Sequence, residues 1–366
     1  MTRRPVRSRL HAALLPRVAA IILAPLLLSA CYLSRAAYEE GRILWNRKPI
    51  DDALARSDLA PDIRAKLETV LAVRKFAADQ LGLNVGGAYE SFANVDKGAI
   101  VHVVMAAPRD SLVPYTWWFP IVGSVPYRGY FNESDATAEA AALEADGLDT
   151  MVRPSIAFSS LGFFDDPLLT NLLKLDRVEL AGVLIHELFH RTYYLASDAM
   201  FDESAANYVG SAGAVAFFAA TDGDSAPSTI AARGILDSDL KFARFMLKEQ
   251  ARLLDIYTAN LPKAELDKRR EAAFAAIKAD YTALEPTLSG LERFDLDKQP
   301  LNNAVLVNYL IYFHQLDNFA ALDRMNHGDL RATIAQIISL AKAHPEDPFY
   351  AIWNATRSAP PPPAGS

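Results

Sequence analysis

His186-Glu187-Leu188-Phe189-His190 is the stretch that most constrains the structure of this chain. Residues four apart project from one face of an α-helix, so His186 and His190 can both present a ring nitrogen to one metal ion. Glu187 lies beside that face, where its carboxylate can take a proton from water at the metal. The spacing therefore predicts a helix with two zinc ligands and a general base. The alternative is a surface or core helix with two unrelated histidines.

The residues around this motif predict a pair of helices. Asp176, with Glu179 three positions later, resembles a capping box at the start of the first helix, and residues 196–201 separate it from a second. A catalytic zinc needs three protein ligands and one open position. We expect Glu203 to be the third ligand, because it opens the second helix on rigid backbone. Asp198, in the connecting loop, is the alternative.

Two details of this region narrow the metal site further. Asp202 precedes Glu203 but would point about 100° away from it on a helix. Asp198 or Asp202 is instead a candidate to orient a ligand histidine through a hydrogen bond. A metzincin would carry a glycine and a third histidine at the positions that hold Tyr193 and Ala196 here, so that subclass is excluded.

Residues 1–30 are typical of a secretion signal, with five arginines, no acidic residue and then an apolar run from Val18 to Leu28. The alternative is a membrane-spanning helix. It is disfavoured because the run is shorter than the roughly 20 apolar residues that a bilayer requires, and Pro25 interrupts it. Leu28-Ser29-Ala30-Cys31 resembles the lipobox of bacterial lipoproteins, which implies that Cys31 is lipidated and becomes the first mature residue.

The expected anchor bears on compartment and partners. Cys31 is the only cysteine, so its lipidation leaves no thiol for a disulfide or for catalysis. We expect a protein anchored in the bacterial cell envelope and facing the periplasm. Tyr32, in place of an aspartate, favours the outer membrane over the inner one.

Removing the five arginines of the expected leader from the 37 basic residues, with all 44 acidic residues kept, changes the net charge from −7 to −12. This acidity argues against nucleic acid as a partner.

The mature chain is expected to form one mostly helical α+β unit, and a 51% hydrophobic composition can supply a large core. Residues 31–83 have helical spacing. Residues 84–175 predict a small β-sheet with substrate-side loops, because glycine, proline, valine and aromatic residues concentrate there. The zinc-binding helix pair spans 176–220 and a helical region spans 229–357. The Pro-rich residues 358–366 are expected to be disordered.

The glycine-rich stretch Gly123-Ser-Val-Pro-Tyr-Arg-Gly-Tyr-Phe131 offers candidates for substrate binding. It places Tyr127, Arg128 and Tyr130 at a predicted sheet edge, where an extended peptide can pair with an open strand. A hairpin of ordinary core aromatic residues is the alternative interpretation.

Several stretches spread over the mature chain carry a family resemblance: Ala37-Tyr-Glu-Glu-Gly41, Phe119-Pro-Ile-Val-Gly123, Tyr127-Arg-Gly-Tyr-Phe131, Ser159-Ser-Leu-Gly162 with Asp166-Pro167, the histidine motif through Glu203-Ser204, and Leu301-Asn-Asn-Ala304 followed by Tyr312. In them the chain resembles the gluzincin metallopeptidases, and more narrowly a predicted aminopeptidase family of bacterial lipoproteins. The resemblance implies a zincin-like catalytic unit with His186, His190 and Glu203 as ligands of one zinc ion and Glu187 as general base. Many gluzincins carry an aspartate where this chain has Asn207.

Peptide hydrolysis also needs a donor to the developing oxyanion besides the metal. Tyr312 is the first choice, because its position matches the family pattern; His314 and the tyrosines and arginine of the glycine-rich stretch are the other candidates. We therefore expect a membrane-anchored zinc peptidase that acts on peptides, an aminopeptidase rather than an endopeptidase. The alternative is a non-catalytic envelope lipoprotein, a scaffold or binding module that retains the zinc-binding helix pair.

Overall fold

The computed structural model describes Tyr38 and residues 41–95, 101–119, 122–155, 165–290, 294 and 296–357. The expected leader, Cys31, the expected tail and Ser159-Ser-Leu-Gly162 lie outside these residues. The chain divides into two units, residues 1–47 and 48–366. The described part of the first unit includes a helical turn at residues 41–45. The second unit contains the strands and the other helices described below.

Short strands occupy the first part of this unit, ahead of the histidine motif. They are β1 (Lys48–Pro49), β2 (Ser91–Ala93), β3 (Val101–Pro108), β4 (Trp117–Phe119), β5 (Gly123–Val125), β6 (Tyr127–Tyr130), β7 (Leu148–Ser155) and β8 (Leu168–Leu169). They form three small sheets with the strand orders β1-β2-β8, β6-β3-β7 and β4-β5.

Helices make up most of the described residues, which confirms the expected mostly helical α+β fold. They are α1 (Ile50–Leu54), α2 (Pro61–Phe76), α3 (Glu133–Ala145), α4 (Arg177–Thr192), α5 (Ala199–Thr221), α6 (Pro227–Tyr257), α7 (Lys263–Leu284), α8 (Asn303–Phe313), α9 (Leu316–Met325), α10 (Leu330–Ala343) and α11 (Pro348–Thr356). Within the described residues, no helix is both long and apolar enough to span a bilayer.

The antiparallel sheet β6-β3-β7 separates two layers of side chains, because successive residues of a strand point to opposite faces. Met105 of β3 pairs with Tyr127 on one side and Met151 on the other, and Val103 pairs with Gly129 and Arg153. Directly paired residues share a face, so Tyr127 and Arg153 both point toward the main core. Val103 and Met105 are buried in that core together with residues of α4, α5 and α8.

The other face of this sheet is covered by α3. Val104 and Ala106 are buried there against Ala136, Ala140 and Leu143. A small second core results, so the sheet is packed on both faces and its main-core face is fixed relative to the helices.

The central helix of the main core is α5, which packs against α4, α6 and α8. Every residue from Phe201 to Ala214 is buried. Such a helix has no solvent-facing stripe, and polar side chains on it must find partners inside the protein. Ser204, for example, donates from its hydroxyl to the backbone oxygen of Ile311 in α8 (2.8 Å).

Candidate metal centre

The first helix of the centre begins as the sequence predicts. The Asp176 carboxylate accepts hydrogen bonds from the backbone N–H groups of Val178 (2.7 Å) and Glu179 (2.9 Å), so it caps α4. One face of α4 then carries His186 and His190, whose Nε2 atoms lie 3.1 Å apart. The helical spacing thus brings both ring nitrogens to one point.

The second helix adds a carboxylate at the same point. Oε2 of Glu203, near the start of α5, lies 3.3 Å from Nε2 of His186 and 3.4 Å from Nε2 of His190. Asp198 has a different position, because its side chain accepts from the Phe201 backbone N–H (3.1 Å) and caps α5. Of the two candidates for a third ligand, the structure therefore brings Glu203 to the histidines.

The three side chains fit a tetrahedral metal ion. Their ligand atoms all lie within 4.8 Å of one another. Zinc binds histidine nitrogen and carboxylate oxygen at about 2.0–2.2 Å, which places tetrahedral ligand atoms about 3.4 Å apart. The separations of 3.1, 3.3 and 3.4 Å are close to that value. The cluster of His186, His190 and Glu203 can therefore hold a metal ion.

Without a metal, the charges of this cluster stabilise one another. Burial alone would lower the pKa of His190, but the carboxylates of Glu203, Glu187 and Asp202 outweigh it and raise that pKa to about 9. Burial alone would raise the pKa of Glu203, but the two histidines hold it well below its ordinary value. A metal needs the neutral imidazole, so its binding would displace a proton from the cluster.

Asp202 lies next to the cluster and bears on His190. It is 1% exposed, and Oδ1 accepts from the backbone N–H of Leu195 (2.8 Å). Burial raises the pKa of Asp202 to about 8, and His190 opposes that shift. Nδ1 of His190 and Oδ2 of Asp202 are both buried without a hydrogen-bond partner among the described residues. Of the two aspartates considered for orienting a histidine, Asp202 is the one beside the ring.

Glu187 is half-buried beside the two histidines. Its pKa is raised, mainly by burial, while His186 and His190 oppose the shift. Burial raises the pKa of Tyr89, and the nearby carboxylates of Glu187 and Asp166 raise it further. Tyr89 is buried and has a left-handed backbone (φ 60°). Strained backbone of this kind persists only where the surroundings hold it.

Two tyrosines from different elements reach the centre. The Tyr127 hydroxyl, from β6, donates to Oε1 of Glu203 (3.1 Å). The Tyr312 ring, from α8, stacks on the His186 ring with 6.3 Å between centroids. Burial raises the pKa of Tyr312, Glu203 and Glu187 raise it further, and Arg153 opposes them. Burial, and after it the Glu203 carboxylate, likewise raise the pKa of Tyr127. Both hydroxyls are therefore protonated near neutral pH.

Three other residues considered from the sequence are not brought to the centre. Arg128 and Tyr130 project from the α3 face of the sheet, because alternate residues of β6 point to opposite sides. Arg128 is 3.7 Å from the carboxylate of Glu139 in α3, and Tyr130 packs in the second core. His314 stacks edge-on against Phe349 with 4.8 Å between centroids, and burial lowers its pKa to about 4.

Sequence reasoning missed Arg153 and Asn308. The Arg153 guanidinium donates from Nε to Oδ1 of Asn308 (2.8 Å) and from Nη2 to the hydroxyl of Tyr312 (3.3 Å). One signal was available: Asn308 lies four residues before Tyr312, so the two share a face of α8. For Arg153 the sequence shows only that its side chain points to the opposite face from those of its two neighbours in a strand. It does not show which strands lie beside that one, and so not which face turns to the metal centre.

These features define a mostly helical α+β protein with a two-histidine, one-glutamate candidate metal centre between two helices and a sheet. A family described as "Putative aminopeptidase" matches residues 31–349 of the chain. The protein belongs to that family, and the family's name gives a peptide-hydrolysing enzyme. No curated protein and no solved structure matches the chain significantly.

Proposed function

We propose that this protein is a zinc-dependent aminopeptidase of the gluzincin type. The observation that carries the proposal is the triangle of His186, His190 and Glu203, with Glu187 on the same helix as the two histidines. Zinc suits this donor set, because imidazole and carboxylate are its usual ligands and three of them leave one position open.

The chain's own groups divide the reaction between them. Zinc at this centre would supply a Lewis acid and lower the pKa of water that it holds. The Glu187 carboxylate accepts the proton of the attacking water and later gives it to the leaving amine nitrogen. The raised pKa of Glu187 suits both roles, because a general base works best when its pKa approaches the working pH.

Tyr312 is proposed as the donor to the developing oxyanion. Its oxygen already accepts a hydrogen bond from Arg153 (3.3 Å), so its own proton is available for a substrate oxygen. The raised pKa of Tyr312 keeps that proton in place at neutral pH. Loss of one such donor typically lowers kcat by about 10²- to 10³-fold.

The location of the enzyme is part of the proposal. The leader-like residues 1–30 and the lipobox-like sequence before Cys31 support an anchor made of acyl chains, which hold a protein far more firmly when there are two or more of them. We place the catalytic unit on the periplasmic side of the bacterial envelope, at the outer membrane in preference to the inner one.

Exchange of the general base tests this function. We expect Glu187→Gln to lower kcat/KM for short peptides by about 10²- to 10⁴-fold, because the amide cannot accept the proton. The variant should keep one equivalent of zinc, since Glu187 is not a ligand. The measurements are mass spectrometry of peptide digests and elemental analysis of the purified protein, with a chelator-treated sample alongside.

Glu179→Gln is the matched control, the same exchange two turns earlier on α4, and it should retain activity. Peptide cleavage that persists in Glu187→Gln would contradict the mechanism. Zinc without any turnover in the unmodified protein would instead favour a non-catalytic binding module. The ends of the products show whether residues are removed from the amino terminus.

A further inference from the structure

We propose that Arg153 binds the C-terminal carboxylate of the substrate, which makes this enzyme selective for very short peptides, dipeptides above all. The proposal rests on the function proposed above and names its substrate class. Four observations support it: the face from which Arg153 projects, the way its guanidinium is held, the absence of an acidic partner for it among the described residues, and its closeness to Tyr312.

Arg153 projects from the same face of the sheet as Tyr127. Val103 of β3 joins Arg153 to Gly129, and Met105 joins Met151 to Tyr127, so these positions form one surface. The hydroxyl of Tyr127 is 3.1 Å from Glu203. The surface that carries Arg153 therefore faces the candidate metal centre, whereas Arg128 points to the opposite layer.

The guanidinium of Arg153 is held on two sides. Nε donates to Asn308 (2.8 Å), Nη2 donates to the Tyr312 hydroxyl (3.3 Å), and the guanidinium carbon lies 5.9 Å from the Tyr312 ring centroid. Both partners belong to α8, one turn apart. A planar fork that is already fixed loses little further entropy when it binds a ligand.

The positive charge of Arg153 has no acidic partner within the part of the chain that the structure describes. Its contacts there are the amide of Asn308 and the phenol of Tyr312. Hydrogen bonds to the described residues come from Nε and Nη2, and none comes from Nη1. Arg244 and Arg191, by contrast, bind Asp317 and Asp165 at 2.8–2.9 Å. Donors thus remain on Nη1 and Nη2, the pair that binds a carboxylate in a bidentate way.

The position of Arg153 sets the length of the substrate. In the proposed mechanism Tyr312 contacts the scissile carbonyl, and Arg153 lies one hydrogen bond beyond that hydroxyl. Backbone geometry places the terminal carboxylate of a dipeptide about 4 Å from its scissile carbon, and each further residue adds about 3.8 Å. The terminal carboxylate of a dipeptide can therefore reach Arg153 while the peptide carbonyl of the same molecule is at Tyr312. In a longer peptide the terminal carboxylate lies beyond the Arg153 guanidinium.

Binding to a protein that cannot turn over its ligand tests this directly. The protein is full-length, zinc-loaded Glu187→Gln, and the probes are alanyl-alanine, alanyl-alanine amide and trialanine, measured by isothermal titration calorimetry. We expect the dipeptide acid to bind about 10- to 100-fold more tightly than its amide, the range for a lost hydrogen bond to a charged group. Trialanine should bind more weakly than the dipeptide acid.

Variants locate this preference at Arg153. In Glu187→Gln/Arg153→Met the acid and the amide should bind equally, and Arg153→Lys should retain part of the preference because it keeps the charge without the fork. Arg233→Met is the matched control, since Arg233 forms an exposed pair with Asp224 and its loss should leave the preference unchanged. Thermal melting checks that each variant is folded.

Equal binding of the acid and the amide to Glu187→Gln, or binding of neither, would overturn the proposal without any need for an Arg153 variant. A preference that survives in Arg153→Met would assign the carboxylate site elsewhere and overturn it too. The unmodified enzyme is assayed separately for dipeptide hydrolysis. Preference for the acid without hydrolysis would contradict the catalytic function alone, so the two failures are distinguishable.

Discussion

Glu203 uses its two oxygens differently, and this division depends on one neighbouring hydroxyl. Oε2 faces both histidines, whereas Oε1 accepts a hydrogen bond from Tyr127 (3.1 Å). A ligand carboxylate that is hydrogen-bonded on its free oxygen is held in one orientation, and such outer partners affect metal affinity strongly. Tyr127 thus links the sheet to the centre through a single contact.

Tyr127→Phe is therefore expected to weaken zinc binding by about 10- to 100-fold, because Glu203 loses the donor that orients it while the ring still fills its space. The measurement is a competition titration against a chromogenic chelator. Tyr115→Phe is the control, since Tyr115 is exposed. An unchanged zinc affinity in Tyr127→Phe would show that packing alone positions Glu203.

Prediction from the sequence worked best where one residue's role depends on local spacing. His186 and His190 are one helical turn apart, so their convergence follows from the period of the helix. For Tyr127 the sequence predicts a different role, substrate binding at the edge of a sheet. Its contact with Glu203 depends on the pairing of β6 with β3, which no local pattern encodes.

At the scale of elements, the two helices of the centre can approach closely because glycines face each other. A Cβ atom added at Gly210 of α5 would lie 2.7 Å from the backbone oxygen of Gly182 in α4 and 3.1 Å from Cβ of His186. A Cβ atom added at Gly182 would meet the Gly210 oxygen at 3.7 Å, an ordinary contact. The two positions therefore differ sharply in the space that they offer.

Gly210→Ala should accordingly destabilise the protein by about 1–3 kcal/mol, the usual cost of overpacking, and should weaken zinc binding, because α4 must shift and carries His186 with it. Gly182→Ala is the matched control. It should be neutral or stabilising, since alanine favours a helix over glycine by about 1 kcal/mol. Urea denaturation of the chelator-treated proteins and a zinc titration measure both effects. Equal behaviour of the two variants would mean that the helices adjust freely.

The ends of the elements were predictable where a side chain caps them. Asp176 caps α4 as expected. The helical region expected from residue 229 begins two residues earlier, because Pro227 takes the first position of α6, where its missing N–H costs nothing. The helical region expected over residues 229–357 has one of its breaks at Gln315, which has a left-handed backbone (φ 51°). A glutamine in a sequence does not indicate this conformation, which is uncommon for residues other than glycine.

At the scale of the whole unit, a buried polar cluster joins the sheet to the C-terminal helices. Asp149 of β7 pairs with Arg270 of α7 and accepts from the backbone N–H of Asn303 (2.8 Å) at the start of α8. The Asn303 side chain donates to the backbone oxygens of Pro108 (2.8 Å) and Ser111 (3.0 Å). The strand that carries Arg153 is thus tied to the helix that carries Tyr312. In the sequence, Asn303 stands out only as part of the stretch that matches the family pattern. Its partners Asp149, Pro108 and Ser111 lie more than 150 residues away from it.

Asp149→Asn should destabilise the protein by about 3–5 kcal/mol, because removing one partner of a buried ion pair leaves the other charge uncompensated. Arg270 is 4% exposed and Asp149 is 8% exposed, so water cannot easily solvate the Arg270 charge in place of Asp149. The measurement is urea denaturation with zinc saturating, so that a change in metal affinity does not enter the result. Asp58→Asn removes the partner of Arg56 in an exposed pair and should leave the midpoint where it is. If Asp149→Asn also leaves the midpoint unchanged, Arg270 must reach water or another carboxylate when its partner is lost, and the sheet would then be held to the helices by apolar packing alone.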